Sequence, residues 1–160
     1  MKSIIIYATK YGCTEKAVRS LQKKLLGGTV SVNIGTETAP DLSSYDKVIL
    51  GGPIYVGKTM KTLTDYMLQN LDVLKNKKLA LFLCAGEQDP RKADALFAGA
   101  FPEELLKTAF MREVFGGELQ WEKLDFITKL MLRLVKGIKE GYSRLSEEKI
   151  GKFAAEVVKI

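Results

Sequence analysis

Three short apolar runs, each stopping at a turn of small residues, constrain this chain most. They are residues 3–8 (SIIIYA), residues 47–50 before Gly51-Gly52-Pro53, and residues 78–84 (KLALFLC) before Ala85-Gly86. A run without polar alternation suits a strand buried on both faces, as in a parallel sheet covered by helices. Residues 30–34 form a more polar strand candidate, and residues 110–115 a fifth. Between them lie segments with helical spacing. In 14–26, Ala17, Val18, Leu21 and Leu25 recur before a Gly27-Gly28 stop; 58–70, 91–107 (interrupted by Gly99 and Pro102) and 147–158 follow. The helix between the second and third strands is short or missing. This order predicts an α/β fold with right-handed crossovers that place helices on both faces of a parallel sheet. The length of 160 residues fits one domain. Residues 116–144 are surplus to a minimal five-strand version and are too helical in pattern for a loose loop.

Composition removes several kinds of chemistry. The chain has no histidine, which excludes Ser-His-Asp and Cys-His nucleophile pairs, histidine general bases and metal sites built on imidazole. Two cysteines, Cys13 and Cys84, are too few for a disulfide framework or a four-cysteine zinc site, and they fit a reducing, cytoplasmic setting. No metal site and no catalytic side-chain acid or base is expected. The N-terminal apolar stretch ends at Thr9-Lys10-Tyr11-Gly12, too short for the core of a signal peptide. No run approaches the ~20 apolar residues of a membrane-spanning helix. The net charge of +6 fits an anionic partner surface. Without a reader motif or interleaved aromatics, no nucleic-acid partner is expected.

In an open parallel sheet, ligands sit outside the carboxyl ends of the strands, where strand order reverses. After the first strand come Thr9, Lys10, Tyr11, Gly12, Cys13 and Thr14, leading straight into a helix. Free N–H groups at that helix start favour an anion, so the segment reads as a phosphate cradle. The alternative is an ordinary turn in which Thr14 caps the helix. After the third strand come Pro53, Ile54, Tyr55, Val56 and Gly57. Tyr55 can stack on a flat conjugated ring walled by Ile54 and Val56, or can pack on the sheet edge. After the fourth come Cys84, Ala85, Gly86 and Glu87, small enough to let backbone groups approach a ligand's polar rim.

Together, residues 8–15 (ATKYGCTE) and 52–57 (GPIYVG), at these strand ends, resemble the flavodoxin family over nearly all of the first 115 residues. The resemblance implies a flavodoxin-like fold: a doubly wound five-stranded parallel sheet, helices on both faces, and a helical insertion at about 116–144. It implies FMN as cofactor, with Thr9, Lys10, Tyr11, Gly12, Cys13 and Thr14 around the phosphate. Pro53, Ile54, Tyr55, Val56 and Gly57 would contact one side of the isoalloxazine ring, and Cys84, Ala85, Gly86 and Glu87 the other edge. The implied role is electron transfer through the flavin to a redox partner protein. Tyr11 replaces a smaller hydroxyl residue, Cys13 replaces a polar one, and the basic chain departs from the acidic carriers of the family. The insertion's length and position, and Phe126-Ile127-Thr128-Lys129-Leu130-Met131, are similar to the flavodoxin-like quinone-dependent protoporphyrinogen oxidases. That implies an alternative: a heme-biosynthesis enzyme that passes electrons to a quinone, with peripheral contact at the inner membrane face.

Within residues 124–142, Leu124, Ile127, Met131, Leu134, Val135 and Ile138 fall on one side of a helix and Lys129, Arg133 and Lys136 on the other. Such a helix lies on an anionic membrane, takes up an acidic partner, or packs its apolar side on the sheet. Gly137 and Gly141 favour an early end. A remoter alternative is a low-molecular-weight phosphatase, because Cys13 and Arg19 have the spacing of its nucleophile loop and Asp89 offers an acid. The intervening Thr14-Glu15-Lys16-Ala17-Val18 reads as helix, and Glu15 would repel a phosphate dianion.

Overall fold

The computed structural model describes residues 1–160. In chain order the elements are β1 (Ser3–Tyr7), α1 (Cys13–Lys24), β2 (Val30–Asn33), β3 (Lys47–Pro53), α2 (Lys61–Gln69), α3 (Leu71–Lys75), β4 (Lys78–Cys84), α4 (Ala93–Ala100), α5 (Glu103–Thr108) and β5 (Met111–Val114). The antiparallel strands β6 (Glu118–Leu119) and β7 (Tyr142–Ser143) bracket α6 (Phe126–Lys136), and α7 (Glu147–Lys159) ends the chain. The missing crossover helix between β2 and β3 is a single 3-10 turn, Leu42–Ser44.

The first five strands pair in parallel in the order β2-β1-β3-β4-β5, the doubly wound sheet expected. Alternation along the central strands divides the core. Ile4, Ile6, Val48, Leu50, Leu79 and Leu81 pack with Leu63, Met67, Leu74, Phe97 and Leu105 of α2 to α5. Ile5, Tyr7, Ile49, Ala80 and Phe82 pack with Ala17, Val18 and Leu21 of α1 and Ile150, Phe153 and Val157 of α7. Burying one such large side chain is worth about 1.5–3 kcal/mol. Both faces are filled this way, so a one-residue slip of a central strand would exchange every partner. The register in turn fixes where the strand ends lie.

Several expected boundaries move, each for a local reason. Strand β3 runs on through Gly51-Gly52-Pro53 because its pairing with β4 continues to Pro53 opposite Cys84. Helix α2 starts at Lys61, not 58, because Tyr55 and Lys58 close a tight turn through reciprocal backbone bonds of 2.8 and 3.1 Å. Gly99 does not interrupt a helix; it lies within α4, where a Cβ would stand 2.1 Å from the Gly57 carbonyl. Pro102 does separate α4 from α5.

The 116–144 segment departs most. Its helix is shorter than 124–142: Asp125 caps the start by accepting the Thr128 N–H at 2.7 Å, and left-handed Gly137 ends it. Leu124 is buried ahead of the helix, and Ile138 lies beyond it. The apolar side does not pack on the sheet. Phe126 (77% exposed), Ile127, Leu130, Met131, Leu134 and Val135 all face solvent. At about 100° per residue they cover roughly half the helix. On the basic side Lys129 and Arg133 lie over the Trp121 ring, 5.9 and 5.3 Å from its centroid, while Arg133 and Lys136 stay exposed. No helix is long and apolar enough to cross a membrane.

Candidate functional site

Strand order reverses between β1 and β3, the switch point at whose strand ends a doubly wound sheet forms its ligand crevice. The β1–α1 loop forms one end of it. Gly12 has φ +90°, a left-handed conformation that only glycine adopts without strain, and its N–H donates to the Thr9 hydroxyl at 3.1 Å. Thr9 thus shapes the loop. No side chain caps α1, so the N–H groups of its first turn have no intrahelical partner. Thr14 does not cap the helix either. It is fully buried inside the first turn, and its hydroxyl has no hydrogen-bond partner. The Cys84 thiol lies beside it, but sulfur is a weak partner.

Around that end sit two cysteines and two tyrosines. The neighbouring Cys84 thiol holds Cys13 below the usual thiol range, despite burial. Cys84 is pushed up by that same neighbour and by burial. Both thiols are free. The Tyr11 and Tyr55 rings meet edge to face, 5.8 Å apart at 83°. The Lys10 ammonium lies 5.2 and 5.8 Å from their centroids. Burial, and then the neighbouring Tyr11 and cysteines, raise the Tyr55 hydroxyl well above its ordinary value, so it stays a neutral, ring-bearing wall. Tyr55 is held by the turn of residues 55–58, in which Val56 (φ +49°) and Gly57 (φ +75°) are both left-handed. A β-branched residue there is strained.

The strand ends thus bring together Thr9, Lys10, Tyr11, Gly12, Cys13, Thr14, Tyr55 and Cys84. Others are used differently. Pro53 ends β3 in the sheet, and Ile54 packs on the core, so neither is a free wall. Val56 projects at the turn's tip, 68% exposed. Ala85 is buried, with its N–H on the Gly116 carbonyl. Glu87 folds back onto its own loop, accepting the N–H groups of Gln88 and Asp89 and pairing with Lys92 at 2.9 Å. It does not face the crevice. In the rejected phosphatase arrangement Arg19 would meet Cys13; here it runs along α1 to pair with Glu15 at 2.6 Å.

Two groups escaped the sequence. Thr59 places a second partnerless buried hydroxyl at the end of β3, beside Gly52. The insertion closes onto the β4 end, where Tyr142 abuts Gly86 and Glu118 pairs with Lys16 of α1 at 2.6 Å. The tight Gly86 could have flagged a close neighbour, but nothing local names Tyr142.

Solved structures share this architecture. Oxidised flavodoxin 2 from Bacillus cereus aligns at a TM-score of 0.63 with 21% identity, over 99% of each chain. Rubredoxin oxygen:oxidoreductase from Desulfovibrio gigas aligns at 0.62 with 17% identity, over 99% of this chain but only 35% of that one. The Fusobacterium nucleatum flavodoxin bound to flavin mononucleotide aligns at 0.52 with 15% identity, over 99% of this chain and 98% of that one. No curated protein sequence gives a match. Residues 4–146 match the family described as flavodoxin domain, and the chain belongs to that family.

Proposed function

We propose that the chain, acting as one unit over residues 1–160, binds FMN in the β1/β3 crevice and passes electrons to a redox partner protein. The carrying observation is Thr14: a fully buried hydroxyl without a partner, in the uncapped first turn of α1. An orphan of that kind is costly unless a ligand satisfies it. A phosphate does so, and the positive helix end and Lys10 favour its charge. The loop residues therefore fit the group at its phosphate end, with Thr9 setting the loop and Gly12 providing its turn. At the ring end, Tyr55 offers an aromatic face. FMN supplies the electron chemistry when bound; the protein supplies position, burial and charge. No side-chain acid or base is needed for electron transfer, in keeping with a chain that has no histidine. The test is to mix the purified protein with FMN, desalt it and record its absorbance. Retained bands near about 375 and 450 nm, bleached by dithionite and restored by an acceptor, are expected. Loss of all flavin on desalting, with no binding by titration, overturns the proposal.

A second reading is favoured by one observation, the outward apolar half of α6. Its capping Asp125 is held below the usual carboxylate range first by the Thr128 N–H and then by the Thr128 hydroxyl, with Lys10 of the phosphate loop a smaller influence. In this reading α6 docks at anionic lipid and the protein oxidises protoporphyrinogen with a quinone as acceptor. Each Lys or Arg near such a surface adds roughly 1 kcal/mol. Co-sedimentation with anionic but not neutral vesicles, and turnover with menadione, are the expected results. A protein that does neither yet cycles electrons with a flavodoxin reductase is a carrier only.

A further inference from the structure

The insertion does more than hang beside the crevice. Gly117 lies so close to the β4 end that a Cβ there would stand 2.8 Å from the Gly86 nitrogen. A Cβ on Gly86 would in turn stand 2.0 Å from the Tyr142 hydroxyl. The Arg144 guanidinium lies 4.6 Å from the Tyr142 ring centroid and donates to the Gly86 carbonyl at 3.4 Å. Glu118, paired across β6–β7, ties this hairpin to Lys16 on α1 and to Ser143. Two contacts, Tyr142 against Gly86 and Arg144 on the Gly86 carbonyl, therefore seat residues 142–144 on the loop after β4. That loop, residues 85–89, contains no aromatic side chain of its own. Tyr142 is half-buried there and lies close enough to Cys13 and Tyr55 to enter their electrostatics.

We propose that Tyr142 and Arg144, carried by β7, form the wall of the cofactor site at the β4 end, facing the isoalloxazine rather than the phosphate. This deepens the FMN proposal and rests on it. Tyr142 supplies the aromatic surface that the loop after β4 lacks. Arg144 places a fixed cation where reduction adds charge. Two electrons with one proton leave one net negative charge on the ring, and a nearby cation stabilises that form over the neutral oxidised one. The site thereby differs from one that disfavours reduced flavin through surrounding carboxylates.

The test uses full-length protein and two ligands, FMN and riboflavin, which share the ring but not the phosphate. Tyr142→Leu keeps apolar bulk on Gly86 and removes the aromatic ring. It is expected to weaken both ligands by the same factor, about three- to tenfold, and to raise bound-flavin fluorescence. Tyr142→Phe is expected to restore wild-type values. Arg144→Gln is expected to weaken dithionite-reduced FMN about tenfold more than oxidised FMN. Thermal unfolding of each ligand-free variant reports whether the hairpin still folds. The proposal is overturned by a folded Tyr142→Leu protein with wild-type affinity and fluorescence. It is equally overturned if that variant weakens FMN alone, or if Arg144→Gln affects both redox forms equally. Wild-type protein that binds no FMN overturns the parent proposal as well.

Discussion

Replacing Thr14 by valine separates the cost of its hydroxyl from its use. The side chain is fully buried in the first turn of α1, and its Oγ1 has no hydrogen-bond partner. Valine has nearly the same shape, so the exchange removes a desolvated polar atom without opening a cavity. Leaving such an atom unsatisfied costs about 1–3 kcal/mol, and the Cys84 thiol beside it places this case near the lower end. The ligand-free variant is thus expected to gain about 1 kcal/mol, or roughly 2–4 °C in thermal midpoint for a chain of this size. FMN binding has the opposite sign. A hydrogen bond to a charged group contributes about 1.5–3 kcal/mol, so the variant loses roughly 10- to 150-fold in FMN affinity. Thermal unfolding with and without FMN reads both numbers, and isothermal titration checks the second. A variant that is less stable without ligand and unchanged in affinity would show that the hydroxyl is satisfied within the protein, and the reasoning would fail.

Three further outcomes follow from the same geometry. Tyr55→Ala is expected to lower FMN affinity and raise bound-flavin fluorescence while Tyr55→Phe keeps both near wild type; equal behaviour of the alanine variant would leave Tyr55 as an edge residue. Val56→Asn relieves a left-handed β-branched residue whose side chain is mostly exposed. It is expected to raise the ligand-free midpoint by a few degrees, since the strain is worth about 1–2 kcal/mol; an unchanged or lower midpoint argues against strain. Glu118 is held below the usual carboxylate range first by Gln120 and then by Lys16. Its stabilising contribution is therefore present above its unfolded value of about 4.3 and is lost as pH falls through the lower folded value. Glu118→Gln should cost stability at pH 7, and the gap from wild type should close in acid; a pH-independent gap contradicts the assignment.

What was legible in the sequence tracks how many neighbours a residue needs in order to declare its role. Residues 78–84 read as a central strand because burial on both faces leaves an unbroken apolar run, and β4 has those bounds. The β1–α1 loop was legible for the same local reason: glycine and threonine immediately precede a periodic helix. The β6–β7 ladder was not, because two-residue strands carry no period. Amphipathicity exposed both sides of α6 but not their direction, which depends on Trp121 meeting Lys129 and Arg133. Glu87 lies in the loop after β4, yet it folds back onto N–H groups one and two residues along. Tyr142 was missed because its partner, Gly86, lies on a distant strand end. Gly99 reads as a helix breaker locally, whereas its reason is the Gly57 carbonyl packed against it.

The central claim is that the uncapped start of α1, with Thr14 inside it, holds the phosphate of a flavin whose ring lies toward Tyr55. The most direct measurement compares the dissociation constants of FMN and riboflavin for the wild-type protein and for Thr14→Val, by fluorescence titration in one buffer. The account expects wild-type protein to prefer FMN by at least tenfold and the variant to lose affinity for FMN while binding riboflavin unchanged. Equal wild-type affinity for the two flavins, or a parallel loss of both in the variant, would place the anion elsewhere and contradict it.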